Sequence, residues 1–295
     1  MTNYDIAIIG GGPAGLQAAL VLARTRRKIV VFDSPEPPRN HVSHGVHNFV
    51  GLDGLLPSEI REQAWRQIDV YQTANLRVEQ VVDVQPEGES FSVIGADGST
   101  IVAKHVILAI GFKDIYPDIP GFMDCWGNTI IPCPYCDGYE NRDRTWGLVV
   151  TSQKALEHMP LIYRNWTSTA KLILHPQVTV DHMPKLPVYH GEIIEVHHQA
   201  GKVEAVTLNT GETVEVGTLW WGLPDEPQPL TQQIIQTFNL TLDENGYIKT
   251  DALYQTSQKN LWAVGDVLGW AGAVGAANAG MMAGLGISRS WYHDE

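Results

Sequence analysis

The chain has 295 residues, 44% hydrophobic and 18% charged, enough apolar material for about two globular domains. A net charge of −13 disfavours nucleic acid and anionic membrane surfaces as main partners, because both are negative. Three cysteines, Cys125, Cys133 and Cys136, are too few for a secreted disulfide scaffold and odd in number.

The chain opens YDIAIIGGGPAGLQAALVLARTRRKIVVFD. No basic, apolar leader precedes the first apolar run, so a cytoplasmic location is expected. Residues 4–9 are apolar and β-branched and predict a buried strand. A glycine-rich turn follows, then a helical pattern over 16–23, then a second strand over 28–32 that ends in Asp33. Each part suits a dinucleotide. Gly10 makes the tight turn, Gly12 lets a pyrophosphate approach the backbone, and Gly15 lets the helix lie close to the sheet. Pro13 and Ala14 complete the loop at the helix N-terminus, whose free N–H groups and positive dipole end favour phosphate. Asp33 is placed to bind a ribose hydroxyl.

His41, His44 and His47 recur every third residue in NHVSHGVHN. A metal site is one reading; the loop-like setting favours pocket histidines, and no metal is expected. Cys125 has no activating neighbour in the sequence and reads as a buried, inert thiol.

Residues 133–140 read CPYCDGYE. As a zinc half-site the pair would need further ligands, and only Cys125 and histidines remain. A redox dithiol is the stronger reading. Pro134 suits a first helical turn, and thiols at a helix N-terminus are acidified, which favours exchange through a mixed disulfide. Asp137 adjoins Cys136 and is a candidate proton acceptor and donor, or else a first-turn acid that favours the helix dipole.

Trp220 and Trp221 are adjacent in a chain of nine tryptophans. Core packing is the plainer role for them; stacking on a bound aromatic ligand is the alternative. Residues 261–264 predict a strand that runs into Gly265 and Asp266, an acid placed to accept from cofactor hydroxyls. The uncharged stretch 268–287 is long enough to span a bilayer, but it is mostly Gly and Ala with Asn278 inside. It predicts a tightly packed buried helix.

With these motifs in place, the chain resembles a low-molecular-weight thioredoxin reductase. GGGPAG with Asp33, HNFVGLDG, VILAIG, CPYCDGYE, LDENGYIKTD and LWAVGDV follow that family's order over nearly the whole length. The resemblance implies an α/β architecture of two Rossmann-like folds: a discontinuous FAD domain over 1–111 and 227–295, interrupted by a redox domain over 112–226. Prolines cluster near both junctions, in IYPDIPG and LPDEPQP. It further implies that Asn48, Gly111, Gly265 and Asp266 join Gly10, Gly12, Pro13, Ala14, Gly15 and Asp33 at the FAD. Cys136 would face the flavin, Cys133 would attack an external disulfide, and Asp137 would be the acid/base. Members are usually homodimers.

The chain departs from that family at its second nucleotide loop. After a strand over 145–150, Thr151 and Gln153 stand where glycines belong, and a Cβ at each blocks backbone approach to a pyrophosphate. The next strand ends in His175-Pro176, with no arginine cluster for a 2′-phosphate. The Arg-Gln pair that often faces the flavin is replaced by GWAGAVGAAN. NADPH is therefore not the expected donor, and without it one persistent arrangement of the domains is expected, with Cys136 near the flavin.

Three functions remain open. One is a FAD-dependent disulfide oxidoreductase fed by a ferredoxin or through a second flavin, acting on a small protein or small-molecule disulfide. The acidic chain counts against a ferredoxin, although Arg24, Arg26, Arg27 and Lys28 form a local basic run. Another is an oxygen-dependent dithiol oxidase; fungal examples tend to carry His where this chain has Asp137. The third is a non-enzymatic flavin redox sensor, for which a dedicated proton acceptor would be superfluous.

Overall fold

The computed structural model describes residues 2–180 and 185–291. The chain begins with β1 (Thr2–Ile9), α1 (Pro13–Ala23) and β2 (Ile29–Asp33). Helix α1 starts at Pro13, three residues before its apolar pattern, because the proline ring presets the first helical φ. Then come α2 (Pro57–Asp69), β3 (Ala74–Val78), β4 (Val81–Glu87), β5 (Ser90–Gly95) and β6 (Thr100–Leu108). These strands form one sheet in the order β3-β2-β1-β6-β5-β4. The β3, β2, β1 and β6 part is parallel; β4 and β5 form an antiparallel flap.

Alternation in β1 separates two cores. Ile6 and Ile8 face one side with Leu16, Ala19 and Leu22 of α1; Ala7 and Ile9 face the other with Val84 and Phe91. Burial on both faces is why β1 and β2 read as nearly continuous apolar runs.

The second set of elements begins with β7 (Phe112–Asp114), α3 (Phe122–Cys125), β8 (Ile130–Ile131) and the single turn α4 (Pro134–Asp137). It continues with β9 (Trp146–Val150), α5 (Gln153–Ile162), β10 (Ala170–Leu174) and β11 (Val188–His190). An antiparallel meander follows, β12 (Ile193–Gln199), β13 (Lys202–Leu208) and β14 (Thr213–Glu215), and then β15 (Thr218–Trp220). Strands β11-β10-β9-β15-β8 make a five-stranded parallel sheet. Trp220 and Trp221 lie on opposite faces of it, 5% and 8% exposed, each in a separate core. They fill the interior and offer no free face to a flavin.

The chain returns through β16 (Asp225–Pro227), which pairs with β7, then α6 (Pro229–Phe238), β17 (Leu261–Ala263) and α7 (Gly272–Ser290). β17 adds parallel to the second half of β6. The Gly/Ala composition of α7 is explained by its contact with α1. A Cβ at Gly280 would lie 2.0 Å from the Ala14 carbonyl oxygen, and one at Gly284 would lie 3.0 Å from Val21. Among the described residues no helix is long and apolar enough to cross a membrane.

Contacts divide the chain into two compact units: Met1–His41, Pro57–Lys113 and Asp225–Glu295 form one, and Val42–Leu56 and Asp114–Pro224 the other. The histidine-bearing loop thus groups with the dithiol unit, although the sequence reading kept 1–111 in one piece.

Candidate active site

The first unit holds the nucleotide loop. Gly10 has φ +115°, and a Cβ there would meet the Ala109 carbonyl oxygen at 2.2 Å. A Cβ at Gly15 would lie 1.9 Å from the Gly10 carbonyl oxygen, so the turn and the helix close only over a hydrogen. Gly12 is different: nothing lies within 4 Å of its Cβ position, which leaves open space above the N-terminus of α1. No side chain caps that N-terminus and no acid sits in the first turn, so its N–H groups are offered to an anion. This cradle fits a pyrophosphate.

Asp33 accepts from the Gly11 N–H at 3.3 Å. Its other oxygen pairs with Arg61 of α2. Gly265, at φ +73°, packs against Ala14, with a Cβ position only 2.9 Å from the alanine methyl. Asp266 accepts from the Ala271 N–H at 3.1 Å and lies 3.9 Å from Arg39, whose guanidinium also covers the Phe112 ring. The structure brings Gly10, Gly12, Pro13, Ala14, Gly15, Asp33, Gly265 and Asp266 together in this unit. Gly111, at φ +69°, has open space at its Cβ position. Arg39 and Arg61 were not singled out from sequence; each meets its acid across a long chain separation, for which local pattern gives no signal.

The second unit holds the dithiol. Cys133 is the N-cap of α4 and is buried, and Cys136 is half-buried. The N–H groups of Cys136 and Asp137 both donate to the Cys133 carbonyl at 3.2 Å. A hydrogen bond from the Cys136 thiol pulls the Cys133 thiol down to about 7. The Cys136 and Tyr135 N–H groups act in the same sense, while burial and the Asp137 charge oppose them. Asp137 goes the other way. Burial lifts its carboxyl to about 6, Glu140 adds to the rise, and His47 opposes it. Cys125, fully buried, is pushed up to about 11 by desolvation and remains a thiol, as expected from sequence.

The turn is tightly supported. Asn141, buried, donates through Nδ2 to the Asp137 and Asn128 carbonyls and accepts from Thr218 Oγ1, each at 3.0 Å. A Cβ at Gly138 would lie 2.3 Å from the Pro134 carbonyl oxygen and 2.9 Å from the Trp166 ring. Tyr135, 59% exposed, packs edge-on against Trp166, which stacks on Trp146. Asn48 also belongs here: it has φ +63° and its Nδ2 donates to the Tyr135 carbonyl at 2.5 Å.

The histidine triad does not act as a unit. His47 lies between Asp53 and Glu140, and among the described residues no three His, Cys, Asp or Glu side chains converge as metal ligands.

After β9, Ser152 caps α5, its Oγ accepting from the Ala155 N–H at 3.2 Å. Thr151 and Gln153 flank it, both exposed. His175, just past β10, pairs with Glu192 at 3.0 Å.

Known proteins share the overall fold and sequence of this chain. Thioredoxin reductase tcpT of Claviceps purpurea is 38% identical over 57% of this chain and 54% of its own, so that match spans about half of each. Thioredoxin reductase aclD of Aspergillus oryzae is 28% identical over 99% of this chain and 98% of its own. The crystal structure of HlmI superposes with a TM-score of 0.91 at 31% identity, covering 99% of this chain and 95% of that one. The family model for pyridine nucleotide-disulphide oxidoreductases matches residues 4–151 and 180–284. That model covers well over half of the sequence, and the chain belongs to the pyridine nucleotide-disulphide oxidoreductase family.

Proposed function

We propose that the protein is a FAD-dependent thiol/disulfide oxidoreductase of thioredoxin reductase type, working through Cys133 and Cys136 on an external disulfide or dithiol and not fed by NADPH. The observation that carries this reading is the asymmetry of the pair: Cys133 at the N-cap position of a helical turn, acidified by the Cys136 thiol, and a half-buried Asp137 beside Cys136 whose carboxyl is lifted by desolvation to about 6.

The chemistry follows from that asymmetry. The Cys133 thiolate attacks a disulfide of the substrate; one S–S bond breaks, a mixed disulfide forms, and one substrate sulfur leaves as thiolate. Asp137 takes the proton of Cys136. The Cys136 thiolate then attacks the Cys133 sulfur, closing the internal disulfide and releasing the second substrate thiolate. Bound FAD supplies two-electron oxidation or reduction of the Cys133–Cys136 pair. Gly10, Gly12, Gly15 and the α1 N-terminus would hold its pyrophosphate, and Asp33 a ribose hydroxyl.

The residues of the second loop do not fit NADPH. Side chains replace the glycines at Thr151 and Gln153, and Ser152 satisfies an N–H of its own helix. Glu192 beside His175 sets a carboxylate where a 2′-phosphate would need a cation.

The test is an anaerobic titration of the purified flavoprotein followed at the flavin absorbance band. No bleaching by NADPH or NADH, with full bleaching by a small dithiol, is the expected result. Rapid bleaching by NADPH would overturn the donor assignment. No bleaching by a dithiol would overturn the link between cysteines and flavin. The same dithiol-reduced sample, exposed to oxygen, separates an oxidase from a reductase fed by another donor: multiple turnover means oxidase.

A further inference from the structure

The loop before α2 sends a histidine to the dithiol turn. His47 Nδ1 lies 3.5 Å from Asp53 Oδ2, and Nε2 lies 3.6 Å from Glu140 Oε1. The ring is therefore held from its own loop by Asp53 and from the dithiol turn by Glu140. The next residue, Asn48, locks the same two segments together: its N–H donates to Asp53 Oδ1 at 2.8 Å and its side chain to the Tyr135 carbonyl at 2.5 Å. Gly45 leaves room for the ring, since a Cβ there would lie 3.1 Å from His47 Nε2.

Asp137 shares its turn with Cys133, Cys136 and Glu140, and its carboxyl also feels the charge of the His47 ring. His47 itself meets Asp53 and Glu140. Glu140 and His47 act on the Asp137 carboxyl in opposite senses.

We propose that His47 is a positioning residue for the dithiol: held between Asp53 and Glu140, it offsets the negative charge formed on Asp137 and so sets the pH at which Asp137 accepts the proton of Cys136. This rests on the reading of Asp137 as the proton acceptor. In the step concerned the Cys136 S–H bond breaks, an O–H bond forms on Asp137, and the electron pair stays on sulfur for attack on Cys133.

The test uses flavin-loaded protein, reduced anaerobically and mixed with the chromogenic aryl disulfide dithiobis-nitrobenzoate across a pH series. The first equivalent of coloured thiol reports Cys133, and the second reports the Cys136 step. In the wild type the second phase should rise with pH through a limb near 6. His47→Gln should move that limb up by about one pH unit and leave the first phase nearly unchanged, so that near pH ~6.5 the second phase slows about threefold. Glu140→Gln should move it down, and His47→Lys should restore it. A purely structural role would move neither limb in this signed way. His47→Gln and Glu140→Gln shifting alike, or neither shifting, would overturn the proposal while leaving the dithiol reading intact. A wild-type second phase in Asp137→Asn would overturn the reading beneath it. Should His47→Gln fail to fold, Glu140→Gln and His47→Lys still decide the matter: an unshifted Glu140→Gln limb refutes it.

Discussion

The Asn48 side-chain amide donates to the Tyr135 carbonyl over 2.5 Å, joining a loop and a redox turn that are 87 positions apart in the chain. Asn48 also occupies φ +63°, a conformation Asn tolerates far better than Ala. The two effects separate by substitution. Asn48→Gly keeps the backbone relaxed and loses the bond; it should cost about 1 kcal/mol in thermal or urea unfolding. Asn48→Ala loses the bond and adds strain, and should cost about 1 kcal/mol more.

Alkylation rates should resolve the three thiols. With iodoacetamide, Cys133 should react with a midpoint at about pH 7, and Cys125 should stay unreactive until far higher pH in the folded protein. Cys136→Ala removes the donor that acidifies Cys133 and should raise that midpoint by about one pH unit. Cys136→Ser retains a hydroxyl donor and should raise it less. Peptide mapping after pulse labelling measures all three sites.

Asp137 should leave a mark on stability. Burial raises its folded carboxyl to about 6, above its unfolded range near 3.8. The folded state therefore favours the proton. The contribution is fully present below pH ~4 and is lost as pH rises through about 6. Asp137→Asn should accordingly stabilise the protein by about 3 kcal/mol above pH ~7 and have little effect below pH ~4. Denaturant unfolding at the two pH values checks the sign, and the same variant should slow closure of the internal disulfide.

The nucleotide loop allows a contrast between neighbouring glycines. Gly12 has φ −81° and an empty Cβ position, so Gly12→Val should fold normally yet retain little flavin. Gly15→Ala drives a methyl into the Gly10 carbonyl and should lower stability by about 1–3 kcal/mol even in flavin-free protein. Flavin content after gel filtration and the melting of apoprotein distinguish the two.

The parts of this molecule legible in sequence are those encoded by near neighbours. Residues 4–33 carry strand, turn, helix and strand in one continuous pattern, and the structure follows it within a few residues at each end. CPYCDG likewise announces a helical turn opened by Pro134, and Gly138 is explained by the crowding around it. What could not be read depends on distant partners. The acids Asp33 and Asp266 were visible, but not Arg61 and Arg39 against them, 28 and 227 positions away. His47 was noticed for its spacing with His41 and His44. What that spacing could not show is Glu140, across 93 positions, which meets the ring. For Trp220-Trp221 core packing was the plainer reading, and strand alternation sends one ring into each core.

The ring stack beside the dithiol gives the protein a built-in optical reporter. Trp146 and Trp166 lie nearly parallel, 13° apart at 5.9 Å, and Trp166 touches the tyrosine that sits between the two cysteines. Parallel indoles at that separation couple their ultraviolet transitions, and a neighbouring thiolate quenches indole emission where a disulfide of different charge and shape does so differently. Near-ultraviolet dichroism and tryptophan fluorescence can therefore follow opening and closing of the Cys133–Cys136 bond directly, without a label and without relying on the colour of the flavin.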